Sequence, residues 1–213
     1  MQADLKQVEQ RIKAHWYRDG IGDFVGGLVF MLLGAYFALV EFLGENSTWG
    51  GLLEAGFILV FLGLFYFGRT VIKELKARYV YPRAGFVEYR GEKEHQSSRR
   101  FVALLLAAVI AAVIVLVNST PGRVNWVVVI TGILAGVILV FIQVKSVGIR
   151  RFFGYGIASA LLGIAFGLSG LADGYALGSY YGVMGLVLAA IGFYVWQRFL
   201  RDNPLPEESL DEN

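Results

Sequence analysis

Glu54 and Glu41 are the side chains best suited to do chemistry in segments of this chain that are otherwise apolar. Glu54 lies about one turn inside a predicted membrane span, where an ionised side chain costs roughly 2.5–3.5 kcal/mol or more at the bilayer centre and less near its edge. Glu41 falls in the last turn of the preceding apolar segment and could share a site with Glu54 across a short loop. The two acids could bind a cation or a proton in an outward-facing cavity. Alternatively, Glu54 extends to the headgroup region or, protonated, bonds to a neighbouring helix.

Residues for most other chemistries are missing from the sequence. The chain has no Cys, and its 2 His residues, His15 and His95, lie in polar stretches. Thiolate chemistry, Cys-metal sites and a histidine relay inside a membrane are therefore excluded. We find no phosphate-binding Gly loop, no H-E-x-x-H, no G-x-S-x-G and no paired carboxylates on one helix face. We predict no catalytic residue, no metal and no cofactor, hence no enzyme; an intramembrane site built from scattered polar groups is the alternative.

Apolar segments of spanning length dominate the chain. Of its 213 residues, 56% are hydrophobic and 17% are charged, against about 25% charged in an ordinary soluble domain. A spanning helix needs about 20 predominantly apolar residues. Six segments without Lys or Arg meet this need, namely 24–43, 50–67, 101–117, 124–144, 152–171 and 178–197. The predicted fold class is an all-α membrane protein with a six-helix transmembrane bundle.

The distribution of basic residues predicts the orientation of this bundle. Of the 19 Lys and Arg residues, all but Arg123 fall on one side of the six predicted spans. Because cytoplasmic loops carry an excess of Lys and Arg, we predict that both termini are cytosolic. Asp23, at the cytosolic end of the first span, is interpreted as a helix cap.

These assignments divide the chain into six parts. They are a cytosolic amphipathic arm (1–22), a transmembrane hairpin (23–67), a cytosolic loop (68–100), a second hairpin (101–144), a short cytosolic turn with a third hairpin (145–197) and an acidic, disordered tail (198–213).

The cytosolic loop and the N-terminal arm carry the predicted contacts with partners. Residues 70–78 are expected to extend the second span as a helix, and the aromatic and β-branched residues around Pro82 predict a small β-hairpin or two extended arms. The arm is predicted to be an amphipathic helix that lies at the membrane interface. The residues predicted to contact a partner or lipid headgroups are Tyr79, Tyr81, Pro82, Arg83, Phe86 and Trp16. The alternative is an ordered connector with a solvated basic rim.

Small residues recur at spacings that favour close helix packing. Gly132 and Gly136 form a G-x-x-x-G pair, and similar spacings occur in the fifth and sixth spans. We interpret these faces as packing seams within one chain rather than as dimer interfaces. The first and last hairpins also align at a constant offset, which indicates either a parallel repeat or a shared apolar composition.

Two motifs carry a resemblance to a group of proteins. Tyr17-Arg18-Asp19-Gly20 precedes a Gly-rich first span, and the run Tyr-Pro-Arg-Ala-Gly-Phe-Val begins at Tyr81. Over about the first 90 residues the chain resembles uncharacterised bacterial multi-pass membrane proteins with a cytosolic Tyr-Pro-Arg-x-Gly-aromatic-Val segment. The resemblance implies a bacterial cytoplasmic (inner) membrane, and it implies no activity, ligand or catalytic residue.

Two functions are compatible with the sequence. The first is a non-catalytic structural, accessory or partner-binding role, and it is favoured because the spans contain no continuous polar path. The second is transport of a small solute or lipid, or a channel, with Glu41 and Glu54 in an acidic outer vestibule. The expected partners are the lipid bilayer with its anionic headgroups at the cytosolic face, and a protein or a second copy of the chain. No nucleic-acid partner is expected, because the membrane topology already explains the basic loop.

Overall fold

The computed structural model describes residues 17–44, 47–84, 124–142 and 149–204, and these residues are mostly helical. The helices are α1 (Ile21–Leu43), α2 (Thr48–Tyr79), α3 (Tyr81–Ala84), α4 (Trp126–Ile142), α5 (Arg151–Gly167) and α6 (Asp173–Asp202). The predicted span 101–117 and most of the predicted N-terminal arm lie outside the described residues. The all-helical prediction is confirmed for the part of the chain that the structure describes.

Three described stretches are long and apolar enough to cross a membrane: Ile21–Leu43, Ala55–Arg83 and Asp173–Asp202. α4 and α5 are apolar but have only 17 residues each, which makes them about 26 Å long at the α-helical rise of 1.5 Å per residue. The chain therefore has the composition and helix lengths of a membrane protein, and a six-helix bundle is consistent with them.

Close contact between α1 and α6 forms the largest helix interface in the described bundle. The two helices run antiparallel, and a glycine at every seventh position of one faces a glycine of the other. The pairs are Gly20 with Gly192, Gly27 with Gly185, and Gly34 with Gly178. A Cβ atom added at Gly27 would lie 2.3 Å from the backbone nitrogen of Ala189. Only glycine permits this approach of two backbones, which dispersion forces then stabilise.

α4 and α5 form a second antiparallel seam. A Cβ at Gly132 would lie 2.5 Å from the Cα of Gly163, and one at Gly136 would lie 2.5 Å from the carbonyl oxygen of Gly156. The prediction that the G-x-x-x-G pair packs within one chain is therefore confirmed. The hairpin repeat stays a prediction.

The predicted β-hairpin is not supported by the structure. α2 continues to Tyr79, as expected for residues 70–78, and the next residues form the short helix α3 instead of an extended arm. Val80 is buried with Ile21 and Val25, and Tyr81 packs against the same apolar cluster. This burial, together with the bond from the Val80 N–H to the Lys76 carbonyl, outweighs the β-propensity of an aromatic and β-branched run. Residues 85–90, the other predicted arm, lie outside the described residues.

Two helices extend beyond their predicted spans. α6 begins at Asp173 and ends at Asp202, so it continues into the segment predicted as the acidic tail. α2 is a single helix of 32 residues from Thr48 to Tyr79. Both extensions place Lys and Arg side chains on helices at the end of the bundle that is predicted to face the cytosol.

Candidate functional site

A buried ion pair connects the start of α1 to α2. Lys76 Nζ lies 2.8 Å from Asp19 Oδ2, and the two side chains are only 2% and 3% exposed. The other carboxylate oxygen of Asp19 accepts a hydrogen bond of 2.9 Å from the Ile21 N–H. Gly20, between them, has φ of 75°, a left-handed conformation that glycine adopts without a Cβ clash. Asp19 and Gly20 thus form a tight corner, and Lys76 neutralises the carboxylate buried in it.

A second ion pair connects α1 to α5. Arg151 Nε lies 2.8 Å from Asp23 Oδ2. The Nε–H of Arg151 makes no hydrogen bond, so this contact is an ion pair only. The Tyr155 hydroxyl donates a hydrogen bond of 3.1 Å to the same carboxylate oxygen. Asp23 lies in the first turn of α1, as predicted, but its described side-chain contacts are with Arg151 and Tyr155 of α5, and the first amide of α1 bonds to Asp19.

Tyr17 joins the same network from the chain that precedes α1. Its carbonyl oxygen accepts a hydrogen bond from Arg151 Nη2, and its ring packs edge-on against Phe152 with centroids 5.8 Å apart. Burial and the nearby Asp23 carboxylate raise the pKa of the Tyr17 hydroxyl.

We call the four charged residues Asp19, Asp23, Lys76 and Arg151 the charged junction. Its acids need these partners, because a buried charge without one is strongly destabilising.

Beside the charged junction lies a cavity of about 490 Å³, which we call the basic cavity. Its polar wall includes Arg69, Lys73 and Lys76 of α2 and Asp23 of α1. Its apolar wall comes from several helices and includes Ile72, Leu139, Phe152 and Leu188. The basic cavity therefore joins a cationic rim to a hydrocarbon surface.

Glycines of α1 leave space in the basic cavity. Gly22 and Gly26 line it, and a Cβ atom added at either one would meet no other atom within 4 Å. This contrasts with Gly27 on the same helix and Gly20 just before it, which are in tight contact with α6. One face of α1 thus packs against a helix while another borders open space.

The structure places Glu41 at the other end of α1, where it bonds to α6. The Glu41 carboxylate accepts a hydrogen bond of 2.9 Å from the Gly174 N–H, in the first turn of α6. A carboxylate in this position satisfies a free helix amide and interacts favourably with the helix dipole. Glu54 lies in the second turn of α2, but its side chain is outside what the structure describes. Whether the two acids share one site therefore stays a prediction.

The predicted contact residues of the cytosolic loop pack largely against their own chain. Tyr79 contacts Trp196 edge-on at a centroid distance of 5.5 Å, and Arg83 Nη1 donates a hydrogen bond of 2.8 Å to the Tyr79 carbonyl oxygen. Tyr81 is partly buried, whereas Pro82 is exposed. Trp16 and Phe86 lie outside the described residues. The structure brings Tyr79, Tyr81, Pro82 and Arg83 together at the same end of the bundle as the charged junction.

Sequence reasoning did not identify the charged junction or the basic cavity. A usable signal was present in α2, where Arg69, Lys73 and Lys76 recur at helical spacing along one face. A second signal was the presence of Asp19 and Asp23 at the start of an apolar helix. Nothing in the sequence indicates which cation each acid meets, because the partners come from helices that are distant along the chain.

No protein-family model, no curated protein and no solved structure matches this chain. Within the described ranges, no group of three or more His, Cys, Asp or Glu residues could hold a metal ion.

Proposed function

We propose that this chain is a non-catalytic multi-pass protein of a bacterial cytoplasmic membrane that binds anionic lipid headgroups at its cytosolic face. In this proposal the chain crosses the membrane six times and has both termini in the cytosol. The observation that carries the proposal is the excess of positive charge at one end of the bundle. Asp19 and Asp23 are neutralised inside the charged junction, whereas Arg69 and Lys73 pair with no acid in the part of the chain that the structure describes.

The packing of the helices supports a single cytosolic end. The antiparallel contact of Gly20 with Gly192 puts the start of α1 beside the last turns of α6. The ion pairs of the charged junction bring the basic end of α2 and the first residue of α5 to the same place. The positive-inside rule assigns this end to the cytosol, and basic residues there attract anionic lipids by about 1 kcal/mol each.

Cysteine labelling tests the orientation directly, because the chain has no Cys of its own. Leu171 is 44% exposed in the turn between α5 and α6, and Arg201 is exposed near the end of α6. In intact cells, a membrane-impermeant maleimide should label Leu171→Cys, and it should label Arg201→Cys only after permeabilisation. Labelling of Arg201→Cys in intact cells would reject the proposed orientation.

Lipid preference tests the proposed binding. The full chain in neutral detergent micelles should bind phosphatidylglycerol more tightly than phosphatidylcholine, as measured by the lipid retained in native mass spectrometry. Because salt screens exposed charges, the preference should weaken as ionic strength rises. Equal retention of the two lipids at low salt would refute the proposal.

The transport function has weaker support from the contacts of Glu41. Its carboxylate already accepts a hydrogen bond from the first turn of α6, so its geometry is that of a helix cap. This contact therefore favours the binding function over transport.

A further inference from the structure

The basic cavity has the chemistry of a specific phosphate site. We propose that it binds one phosphate group, with Arg69 and Lys73 as the residues that contact it. This inference deepens the proposed function, because it assigns headgroup binding to one cavity instead of to the whole basic rim. It depends on the proposed function only for the cytosolic location of the cavity.

Charge balance around the cavity favours an anion. Lys76 is paired with Asp19, and Arg151 is paired with Asp23, so these four charges cancel. Arg69 and Lys73 also line the cavity, and neither forms an ion pair with any residue described by the structure. They are four residues apart and therefore project from the same face of α2. A guanidinium and an ammonium on one face can donate several charge-assisted hydrogen bonds to phosphate oxygens.

The size of the cavity suits such a group. Its volume of about 490 Å³ falls within the roughly 300–1,000 Å³ that is usual for ligand pockets. Gly22 and Gly26 keep the α1 side of the cavity open, although neither is needed for close helix packing in the described contacts. A larger side chain at Gly26 would occupy the cavity and leave its charges unchanged.

The apolar wall favours a phosphate that carries a hydrocarbon chain. Ile72, Leu139 and Leu188 line the cavity together with the basic residues, so a phosphate at the rim would have apolar surface next to it. A phospholipid can occupy both surfaces, whereas free phosphate or a phosphorylated solute can use only the rim. The shared chemistry is the phosphate group, and the two sources differ in whether the apolar wall contributes to affinity.

A charge-removal experiment tests the site with a matched control. The full chain in neutral detergent micelles is titrated with phosphatidylglycerol, and the bound lipid is counted by native mass spectrometry. The test variant is Arg69→Gln/Lys73→Gln. The control is Arg198→Gln/Arg201→Gln, which removes the same charge from the same end of the bundle but outside the cavity. The test variant should bind on the order of 30-fold more weakly, because it loses two charge-assisted contacts with the phosphate, and the control, whose residues do not line the cavity, should lose much less.

A cavity-filling variant tests the same site without changing its charge. Gly26→Leu should weaken lipid binding. Gly154→Leu should not, because Gly154 lies on α5 outside the cavity, at a position where an added Cβ also meets nothing within 4 Å. Unfolding midpoints near that of the wild type would show that both variants fold. If neither Gly26→Leu nor Arg69→Gln/Lys73→Gln weakens binding, the phosphate site is rejected.

The remaining outcomes distinguish the ligand source and the two proposals. If inorganic phosphate displaces the lipid and binds as tightly as the lipid does, the phosphate group alone is sufficient for binding. If inorganic phosphate does not displace the lipid, the ligand is a phospholipid that also contacts the apolar wall. A lipid preference that falls equally in the test and control double variants would reject the cavity but leave the proposed function standing. A wild-type chain with no preference for phosphatidylglycerol over phosphatidylcholine would reject the proposed function, and one that binds neither phosphatidylglycerol nor inorganic phosphate would reject both.

Discussion

The buried pair of Asp19 and Lys76 predicts a strong and non-additive effect on stability. Lys76→Met removes the ammonium but keeps an apolar stem of similar length. It leaves the Asp19 carboxylate without the Lys76 ammonium in a site where the Asp19 side chain is only 3% exposed. Removal of one partner from a buried pair destabilises a protein by about 3–5 kcal/mol. Asp19→Asn should also be destabilising, because it removes the carboxylate that lies 2.8 Å from Lys76 Nζ.

The double variant Asp19→Asn/Lys76→Met should recover most of this loss. Its amide oxygen can still accept the hydrogen bond from the Ile21 N–H, which is 2.9 Å from the carboxylate in the wild type. Neither buried charge is left, so the free energy of unfolding should return to within about 1 kcal/mol of the wild-type value. The assay is unfolding of the purified chain in mixed micelles with increasing denaturing detergent, followed by circular dichroism.

An exposed ion pair provides the control for this experiment. Arg198 lies 3.6 Å from Asp202, and these side chains are 66% and 64% exposed. Arg198→Gln should therefore change the free energy of unfolding by less than about 1 kcal/mol. The predicted role of the buried pair is refuted if Lys76→Met is no more destabilising than Arg198→Gln. It is also refuted if the double variant loses the full sum of the two single effects.

Five further variants probe the helix contacts, each measured by the same unfolding assay. Gly27→Ala should destabilise the chain by about 1–3 kcal/mol, because the added Cβ overlaps the α6 backbone. Gly26→Ala should be neutral or stabilise the chain by up to about 1 kcal/mol. Equal effects of the two variants would contradict the packing of α1 described above. Glu41→Ala should cost about 1 kcal/mol through loss of the α6 cap, and Glu41→Gln should stay near the wild type. A stable Glu41→Gln protein with altered solute flux in proteoliposomes would instead favour transport. Tyr155→Phe should cost about 1 kcal/mol through loss of its hydrogen bond to Asp23, and an unchanged midpoint would show that this bond contributes nothing.

Local properties of the sequence predicted the class of structure and much of the helix content. Long apolar runs without Lys or Arg predicted helices, and five of the six predicted spans overlap described helices. The helical extension over residues 70–78 was also predictable from its amphipathic pattern. The G-x-x-x-G pair at Gly132 and Gly136 correctly indicated packing within the chain. These features depend on residues close together in the sequence, so periodicity and composition are sufficient to predict them.

The seven-residue spacing of glycines was a readable signal that the sequence analysis did not use. Gly20, Gly27 and Gly34 share a period with Gly178, Gly185 and Gly192, and the structure pairs the two sets across α1 and α6. The prediction of a β-hairpin failed for the opposite reason. Local propensity favoured extended arms around Pro82, but burial of Val80 against Ile21 and Val25 favoured helix.

The sequence by itself determined an apolar, helical, membrane-type chain with its basic residues on one side of the predicted spans. Only the tertiary structure decided that Lys76 meets Asp19, that Arg151 meets Asp23, and that Arg69 and Lys73 border a cavity while neither forms an ion pair with a described residue. The physical reason is that hydropathy and helical periodicity belong to single segments. The pairing of charges depends on which faces of distant helices pack together, and here the acids at the start of α1 meet cations of α2 and α5.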